Sequence, residues 1–280
     1  TARKVVLIGA GSAVFTQDVR LPGMLTALVL HPPRFGARVK SFDPAPAKAV
    51  PGVAQVVQIP GGIAVLGRDF WSAKLGRDAL TQTVVWDETD AFRLGSDEIL
   101  AQYRALADGP GVVAHRDGDA QPALAGAAQL IEAEFSVPYL AHAAMEPIDC
   151  VIAPAGSGVR VINGEQFQTA DQAAVAKVLG LQPGQVRIDM LYAGGSFGRR
   201  ANPHSDFVIE ATEIYKAAGG KTPVKLQWTR EDDMRAGWYR PLFLHRVRAG
   251  LDAKGQPLAW HHRIVGQSIV TGTAFEKALV

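Results

Sequence analysis

Cysteine is almost absent from this chain, because Cys150 is the only one among 280 residues. A single cysteine excludes an internal disulfide framework and any cysteine-rich zinc or iron–sulfur site carried by the chain alone. The chain also lacks an excess of either sign of charge, since 29 Lys and Arg residues against 27 Asp and Glu residues leave a net charge of +2. Without a concentrated basic face, nucleic-acid binding is not expected. The apolar runs are short and interrupted, so the sequence predicts no membrane span.

The residues that are abundant indicate a globular α+β protein. Hydrophobic residues make up 48% of the chain, enough to form a real core. Apolar runs separated by turn residues predict a compact α+β unit over residues 12–86. A helix within it places Trp71, Leu75 and Ala79 on one face. The predicted strands of this unit are 25–30, 38–42, 52–59, 63–66 and 84–86.

A helix and a polar loop separate this unit from the rest of the chain. Ser96 is a suitable cap for the helix, and residues 115–121 are polar enough to predict a surface loop. We therefore expect a connecting segment at 87–122 and a second domain at 123–280. The apolar stripe of the connecting helix is Ile99, Leu100, Tyr103 and Leu106.

The second domain is predicted to mix strands and helices. Thr169 and Gln172 fit a capping box for a helix over 170–179, which Gly180 ends. Ser205 is the predicted cap of a further helix that runs to Ala218. The predicted strands are 130–137, 186–192, 224–228 and a hairpin of 246–251 with 258–265.

Two glycine-rich segments follow apolar strands. Gly9-Ala10-Gly11 suggests a dinucleotide site, but Val14 replaces the third glycine of the fingerprint and Pro22-Gly23 interrupts the required helix. A nicotinamide-binding enzyme is therefore an alternative that we do not favour. The segment 194–200 reads GGSFGRR, and its glycines allow a backbone to approach an anionic ligand closely. A tight turn followed by two solvated arginines explains this segment equally well.

Three other clusters of polar residues do not predict a metal site. His142 and Glu146 lie four residues apart, but Pro147 opposes a helix there and no third ligand is near in sequence. The acidic run 231–233 is more typical of a solvated loop than of a cation site. His261 and His262 alternate along a predicted strand and therefore point to opposite faces.

Five segments, taken in order, resemble the molybdenum-binding subunit of molybdenum hydroxylases. The likeness is strongest to the isoquinoline 1-oxidoreductase beta subunit, within the xanthine dehydrogenase and aldehyde oxidase superfamily. It implies an aldehyde oxidase a/b hammerhead-like domain at 12–86, followed by the first part of a molybdopterin-binding domain at 123–280. The segments are DVRLPGML (18–25), PYLAHAAMEPIDC (138–150), GEQFQT (164–169), GGSFGRR (194–200) and WTREDDM (228–234).

The resemblance also implies roles for individual residues. Gln166 matches the glutamine that approaches the molybdenum oxo group, with Gln168 as a less favoured register. Arg240 corresponds to a substrate-side arginine region, and the resemblance identifies Phe197 as a catalytic-site and cofactor-loop residue. The other residues implied to lie beside the cofactor are Gly194, Gly195, Gly198 and Arg199.

The implied activity is the hydroxylation of an N-heteroaromatic compound or an aldehyde with oxygen from water. The cofactor is molybdopterin in its cytosine dinucleotide form, and 2Fe–2S clusters lie on an electron-transfer partner subunit. Members of this family are normally much longer, and their catalytic glutamate has no match here. We therefore expect a fragment or split subunit that needs the remainder of the molybdopterin domain and is inactive alone. A non-catalytic fragment unable to bind the cofactor is the alternative, and both the cytoplasm and the periplasm remain open as compartments.

Overall fold

The computed structural model describes residues 15–235, 237–273 and 276–279. The helices are α1 (Ala45–Lys48), α2 (Phe70–Leu80), α3 (Ser96–Asp108), α4 (Ala120–Ala125), α5 (Gln168–Leu179), α6 (Asp206–Ala217), α7 (Arg230–Arg235) and α8 (Glu276–Leu279), with 3-10 turns at Thr16–Asp18 and Pro183–Gln185. The strands are β1 (Leu25–Leu30), β2 (Arg38–Ser41), β3 (Val53–Ile59), β4 (Gly62–Gly67), β5 (Val85–Asp87), β6 (Gln129–Val137), β7 (Leu140–Ala141), β8 (Asp149–Ala155), β9 (Gly158–Asn163), β10 (Val186–Met190), β11 (Val224–Gln227), β12 (Tyr239–Arg240), β13 (Phe243–Leu251) and β14 (Pro257–Gly266). None of the helices that the structure describes is both long and apolar enough to cross a membrane.

The first of two compact units combines the described residues up to Phe92 with Ala141–Trp238. Its centre is a mixed seven-stranded sheet with the strand order β10-β9-β8-β11-β1-β4-β3. β1 pairs in parallel with β11 and antiparallel with β4, which places early and late parts of the chain in one sheet. The unit is therefore held together by pairing between strands that are far apart in sequence.

Helices cover both faces of this sheet because its strands are apolar on both sides. Along β4, Ile63 and Val65 pack with α1 and α2, while Ala64 and Leu66 belong to the main core. That core includes Phe207 and other residues of α5 and α6. A sheet buried on both faces reads as continuous apolar runs, and β4 is buried along its whole length.

The second unit combines Arg93–Leu140 with the described residues from Tyr239 onward. Its antiparallel sheet has the order β14-β13-β6. α3 packs on one face of this sheet, where Ile99 and Tyr103 contact Leu244. Beside it, a Cβ on Gly250 would meet Ala127 at 2.9 Å, so the chain after α4 also lies close to this face.

The prediction of an α+β fold is confirmed. The two compact units, however, have other bounds than the segments expected from the sequence. Because β1, β3 and β4 share a sheet with β8–β11, residues 12–86 are joined to strands of 123–280. The assignment of 12–86, 87–122 and 123–280 to a hammerhead-like domain, a connecting segment and a molybdopterin domain stays a prediction. Gly9-Ala10-Gly11 lies outside the described residues.

Several local expectations are wrong for identifiable reasons. Trp71 and Leu75 are exposed, because α2 buries its small residues Ala73 and Gly76 against the sheet instead. The acidic run 231–233 lies in helix α7 rather than in a loop. The cap of α5 is Phe167, so Thr169 already lies within the helix. The hairpin of β8 and β9 is absent from the sequence-based prediction.

Candidate cofactor site

Residues 194–198, which we call the glycine loop, follow β10 and lie against the segment that precedes β8. The N–H of Gly194 donates to Glu146 Oε2 at 2.8 Å, and the N–H of Glu146 donates to the Gly194 carbonyl at 3.1 Å. A Cβ on Gly194 would lie 2.6 Å from the Glu146 Cβ. A side chain at Gly194 therefore does not fit without moving the loop.

The backbone of the loop adopts conformations that only glycine accepts easily. Gly195 and Gly198 have φ angles of +99° and +92°. Phe197 also has a positive φ, +56°, and its side chain is 77% exposed. A non-glycine residue held in the left-handed region is a form of strain found at ligand-binding loops. The loop thus presents an aromatic ring to solvent on a tightly wound backbone.

Gln166 contacts this loop directly. Ser196 Oγ donates to Gln166 Oε1 at 2.5 Å, and the N–H of Arg200 donates to the same Ser196 Oγ at 3.1 Å. Since the carbonyl end of the Gln166 amide is the acceptor, its NH₂ end remains a donor. Gln168 instead donates to Met190 Sδ at 3.1 Å, so Gln166 is the glutamine that the fold brings to the glycine loop.

The two arginines after the loop are buried, which overturns the alternative of two solvated side chains. Arg199 donates from Nη1 and Nη2 to the two carboxylate oxygens of Asp206, at 3.1 and 2.6 Å. Its guanidinium lies 5.6 Å from the centre of the Trp228 ring. Arg200 Nη2 donates to Glu146 Oε2 at 3.1 Å. Both guanidinium groups therefore support the loop through internal ion pairs.

Three further carboxyl groups, those of Asp149, Glu165 and Asp171, are buried near these ion pairs. Burial, followed by the nearby Glu146, raises the pKa of Asp149 well above its usual range, although Arg200 opposes the shift. Burial, with a contribution from Asp171, raises the pKa of Glu165 to about 9. Glu165 therefore keeps its proton at neutral pH. The buried polar groups beside the glycine loop therefore include protonated carboxyl groups as well as ion pairs.

The protonated Glu165 predicts a dependence of stability on pH. The folded state holds this proton up to a pKa of about 9, whereas the ordinary glutamate value is 4.5, so stability falls as pH rises between these values. The loss is at most about 1.4 kcal/mol per pH unit. A glutamine at this position does not titrate, so Glu165→Gln is expected to make the fall in unfolding free energy between pH 5 and pH 9 less steep. The raised pKa of Asp149 accounts for the slope that remains.

Urea titrations at several pH values test this prediction, with Glu213→Gln on α6 as the control. The control is expected to keep the wild-type slope. A Glu165→Gln variant with an unchanged slope would show that Glu165 is already ionised in the folded protein.

His142 and Glu146 do not form a metal site. Glu146 accepts hydrogen bonds from Gly194 and Arg200. His142 Nδ1 lies 3.2 Å from the Trp238 carbonyl oxygen. Burial, followed by the charge of Arg199, lowers the pKa of His142. Among the residues that the structure describes, no group of three His, Cys, Asp or Glu side chains is placed to hold a metal ion.

Three features of the site were not predicted from the sequence. Glu146 anchors the loop, and its position before an apolar strand in EPIDCVIA was the available signal of a buried acid. Ala143 has a φ of +48°, which no sequence pattern indicated. Arg230, at the start of α7, donates to the Ala144 carbonyl at 2.5 Å and so connects the WTREDDM segment to the segment before β8. Arg240 lies in the second unit, where its Nη2 donates to the Pro138 carbonyl at 2.8 Å.

The residues of this site fit a large anionic cofactor. A Cβ on Gly198 would meet nothing within 4 Å, so the backbone there has open space beside it, whereas Gly194 is packed from behind. An open glycine backbone beside an amide donor suits a phosphate-bearing group.

Known proteins resemble this chain over most of its length. The molybdopterin cofactor-binding domain family matches residues 106–276. The chain is 32% identical to the isoquinoline 1-oxidoreductase subunit beta of Brevundimonas diminuta, over 92% of this chain and 34% of the relative. It is 27% identical to the xanthine dehydrogenase of Dictyostelium discoideum, over 88% of this chain and 20% of the relative. The chain thus spans a third or less of the length of these relatives.

The fold is shared with a solved oxidoreductase structure. The quinoline 2-oxidoreductase of Pseudomonas putida 86 superposes with a TM-score of 0.69 at 20% identity, over 89% of this chain and 36% of that one. The family match covers more than half of the chain and includes Gln166, the glycine loop and the sheet of the second unit. The chain therefore belongs to the molybdopterin cofactor-binding domain family of the molybdenum hydroxylases.

Proposed function

We propose that this chain is part of a molybdenum hydroxylase that oxidises an N-heteroaromatic compound or an aldehyde with water as the oxygen source. The observation that carries the proposal is the hydrogen bond between Ser196 and Gln166. It joins two segments that α5 and β10 separate in sequence, and both segments were matched to the cofactor region of this family. The relatives named as an isoquinoline oxidoreductase and a xanthine dehydrogenase support the same class of reaction.

The molybdenum cofactor, when bound, supplies a redox centre that accepts two electrons and delivers a water-derived oxygen. The role that we propose for this chain is to bind the cofactor and to hold it in a fixed orientation. We propose that the backbone at Gly195 and Gly198 lies against the cofactor, because no side chain holds it away there. Gln166 Nε2 donates a hydrogen bond toward the cofactor while Oε1 stays fixed by Ser196.

Three further residues receive proposed roles. The exposed ring of Phe197 contacts the cofactor or the substrate from the loop. Arg199 was expected to contact the cofactor, but its guanidinium is buried on Asp206, so we now propose that it positions the glycine loop. Arg240 remains a proposal for the substrate side. None of these roles requires a metal ligand from this chain.

The single cysteine and the greater length of the relatives support two further parts of the proposal. We propose that 2Fe–2S clusters on a partner subunit carry the electrons away, because a single buried cysteine cannot hold a cluster. A chain that spans 34% of the Brevundimonas relative is proposed to need the remaining polypeptide for activity. The cytosine dinucleotide form of the cofactor is part of the same proposal.

The test measures molybdenum and pterin in the purified full-length enzyme. Gly195→Val is expected to lose most of its molybdenum, because a branched side chain at a φ of +99° is strained and pushes the loop away from Ala144, whose Cβ a Cβ at position 195 would approach to 3.3 Å. Gly156→Val is the control, since Gly156 also has a positive φ, +58°, but lies in the hairpin between β8 and β9. Full molybdenum content in Gly195→Val would reject the site.

A further inference from the structure

One face of the β14-β13-β6 sheet in the second unit is open, although its side chains are apolar. The opposite face is packed against α3 through Leu244. Strand alternation and the pairing register place a different set of side chains on the open face. The open face consists of Gln129, Ile131, Ala133, Phe135, Val137, Phe243, His245, Val247, Ala249, Leu251, Trp260, His262, Ile264 and Gly266.

Several large apolar side chains on the open face are more than half exposed to solvent. Phe135, Trp260 and Ile264 are 57%, 62% and 54% exposed. Phe135 lies on β6, whereas Trp260 and Ile264 lie on β14. Phe135 and Ile264 both pair with His245 on the central strand β13, so these side chains belong to one row across the sheet. Contiguous apolar patches of this kind mark interaction surfaces in soluble proteins.

The distribution of charge separates the two faces of the sheet. The helix-covered face carries ion pairs that join neighbouring strands, Arg246 with Glu134 at 2.9 Å and Arg248 with Glu132 at 2.6 Å. The open face, all of whose side chains the structure describes, carries no Lys, Arg, Asp or Glu. Its two histidines form a pair, with His245 Nδ1 lying 3.0 Å from His262 Nε2. This charge-free composition is that of a covered layer and not that of a solvated sheet face.

We propose that the open face is the surface on which the rest of the molybdenum-binding subunit packs. The occupant is the part of the longer polypeptide that relatives carry outside the region matched by this chain. All three strands lie within residues 106–276, so the sheet belongs to the shared family domain. In the Brevundimonas relative the matched region is only 34% of the protein, which leaves about two thirds of a polypeptide to cover surfaces of this domain.

The charge pattern favours this occupant over the alternatives. A membrane surface would be met by basic residues within or around the apolar patch, and the open face has none. A second copy of this chain could also cover the uncharged face. It would, however, leave no place on this face for the additional polypeptide that the relatives carry. The inference rests on family membership and on the sheet, so it stands or falls independently of the glycine loop and Gln166.

A binding experiment with a defined probe tests the proposal. The probe is the part of the Brevundimonas diminuta subunit beta that lies outside the matched region, produced as a separate polypeptide. The 280-residue chain is expected to form a one-to-one complex with it, measured by sedimentation. Replacing both Trp260 and Ile264 by glutamate is expected to weaken this complex about a hundredfold, since two apolar anchors are lost from the centre of an interface.

Controls separate binding from folding. Val113→Glu adds charge at a side chain that is 69% exposed elsewhere in the same unit, and it is expected to bind like the wild type. Because Trp260 and Ile264 are more than half exposed, the thermal unfolding of the double variant alone is expected to match that of the wild type. Protection of residues 129–137 and 257–266 from hydrogen exchange in the complex would support the assignment.

Four results would overturn the proposal. They are the absence of a complex with the probe, equal binding by the double variant, self-association of the chain that the double variant abolishes without probe binding, and binding to phosphatidylcholine vesicles in place of the probe. The third result would assign the open face to a second copy, and the fourth would assign it to a membrane.

Discussion

Gln166→Ala, made in the full-length enzyme together with the proposed electron-transfer partner, is expected to lower kcat by about 10²–10³ and to leave the molybdenum content unchanged. The loss follows from the removal of one preorganised donor that Ser196 holds in place through Gln166 Oε1. The glycine loop keeps its own anchor on Glu146, so binding of the cofactor is retained. Steady-state kinetics with isoquinoline or an aromatic aldehyde, together with metal analysis, measure both effects.

Gln168→Ala is the matched control for this prediction. The two glutamines are two residues apart, but Gln168 donates to Met190 and does not contact the loop. It is expected to retain most of the wild-type kcat. Equal losses in the two variants would contradict the assignment of Gln166, as would wild-type turnover in Gln166→Ala.

Arg200→Met is expected to destabilise the protein by about 3–5 kcal/mol, the typical cost of removing one partner of a buried ion pair. Arg200 is 1% exposed, and its guanidinium lies 3.1 Å from Glu146 and 3.6 Å from Asp149. Without it, the Glu146 carboxylate remains buried without its cation, and the anchor of Gly194 is weakened. The free energy of unfolding from urea titration measures the loss.

Arg116→Met provides the comparison, because Arg116 is exposed and lies in the polar loop after α3. Its effect is expected to stay within about 0.5 kcal/mol, as for ordinary surface substitutions. A loss below about 1 kcal/mol in Arg200→Met would contradict the role of this ion pair as a support of the loop.

Local patterns predicted most elements but not their pairing. Helix α6 and strands β1, β3 and β11 follow from apolar spacing and turn residues, which act within a few residues. The pairing of β1 with β11 joins residues about two hundred positions apart, and no local pattern contains that information. This pairing is why the compact units differ in their bounds from the segments expected from the sequence.

The burial of charged side chains was the main property that sequence reasoning missed. Arg199 and Arg200 follow a glycine-rich turn, a context in which solvated arginines are ordinary. Their burial depends on Asp206 and Glu146, and the second of these lies 54 positions away. Partners at such separation become visible only when the fold is known.

The resemblance implied that Gln166 and the glycine loop both lie beside the cofactor, and the spacing of the residues did not indicate this. Each segment alone is a weak signal, because glutamines and glycine turns are common. Their order along the chain carried the specificity, and the structure supplies the hydrogen bond through Ser196. Helix α2 shows the opposite limit, since Trp71 shared a helical face with other apolar residues and is nevertheless 62% exposed.

The most direct measurement is a structure of the complete, molybdenum-loaded subunit, with the metal located by its anomalous scattering. The account predicts that the cofactor lies against residues 194–198 and that Gln166 Nε2 is within a hydrogen-bond distance of about 2.7–3.2 Å of a cofactor atom. A metal position remote from the glycine loop, with Gln166 making no contact to the cofactor, would contradict it.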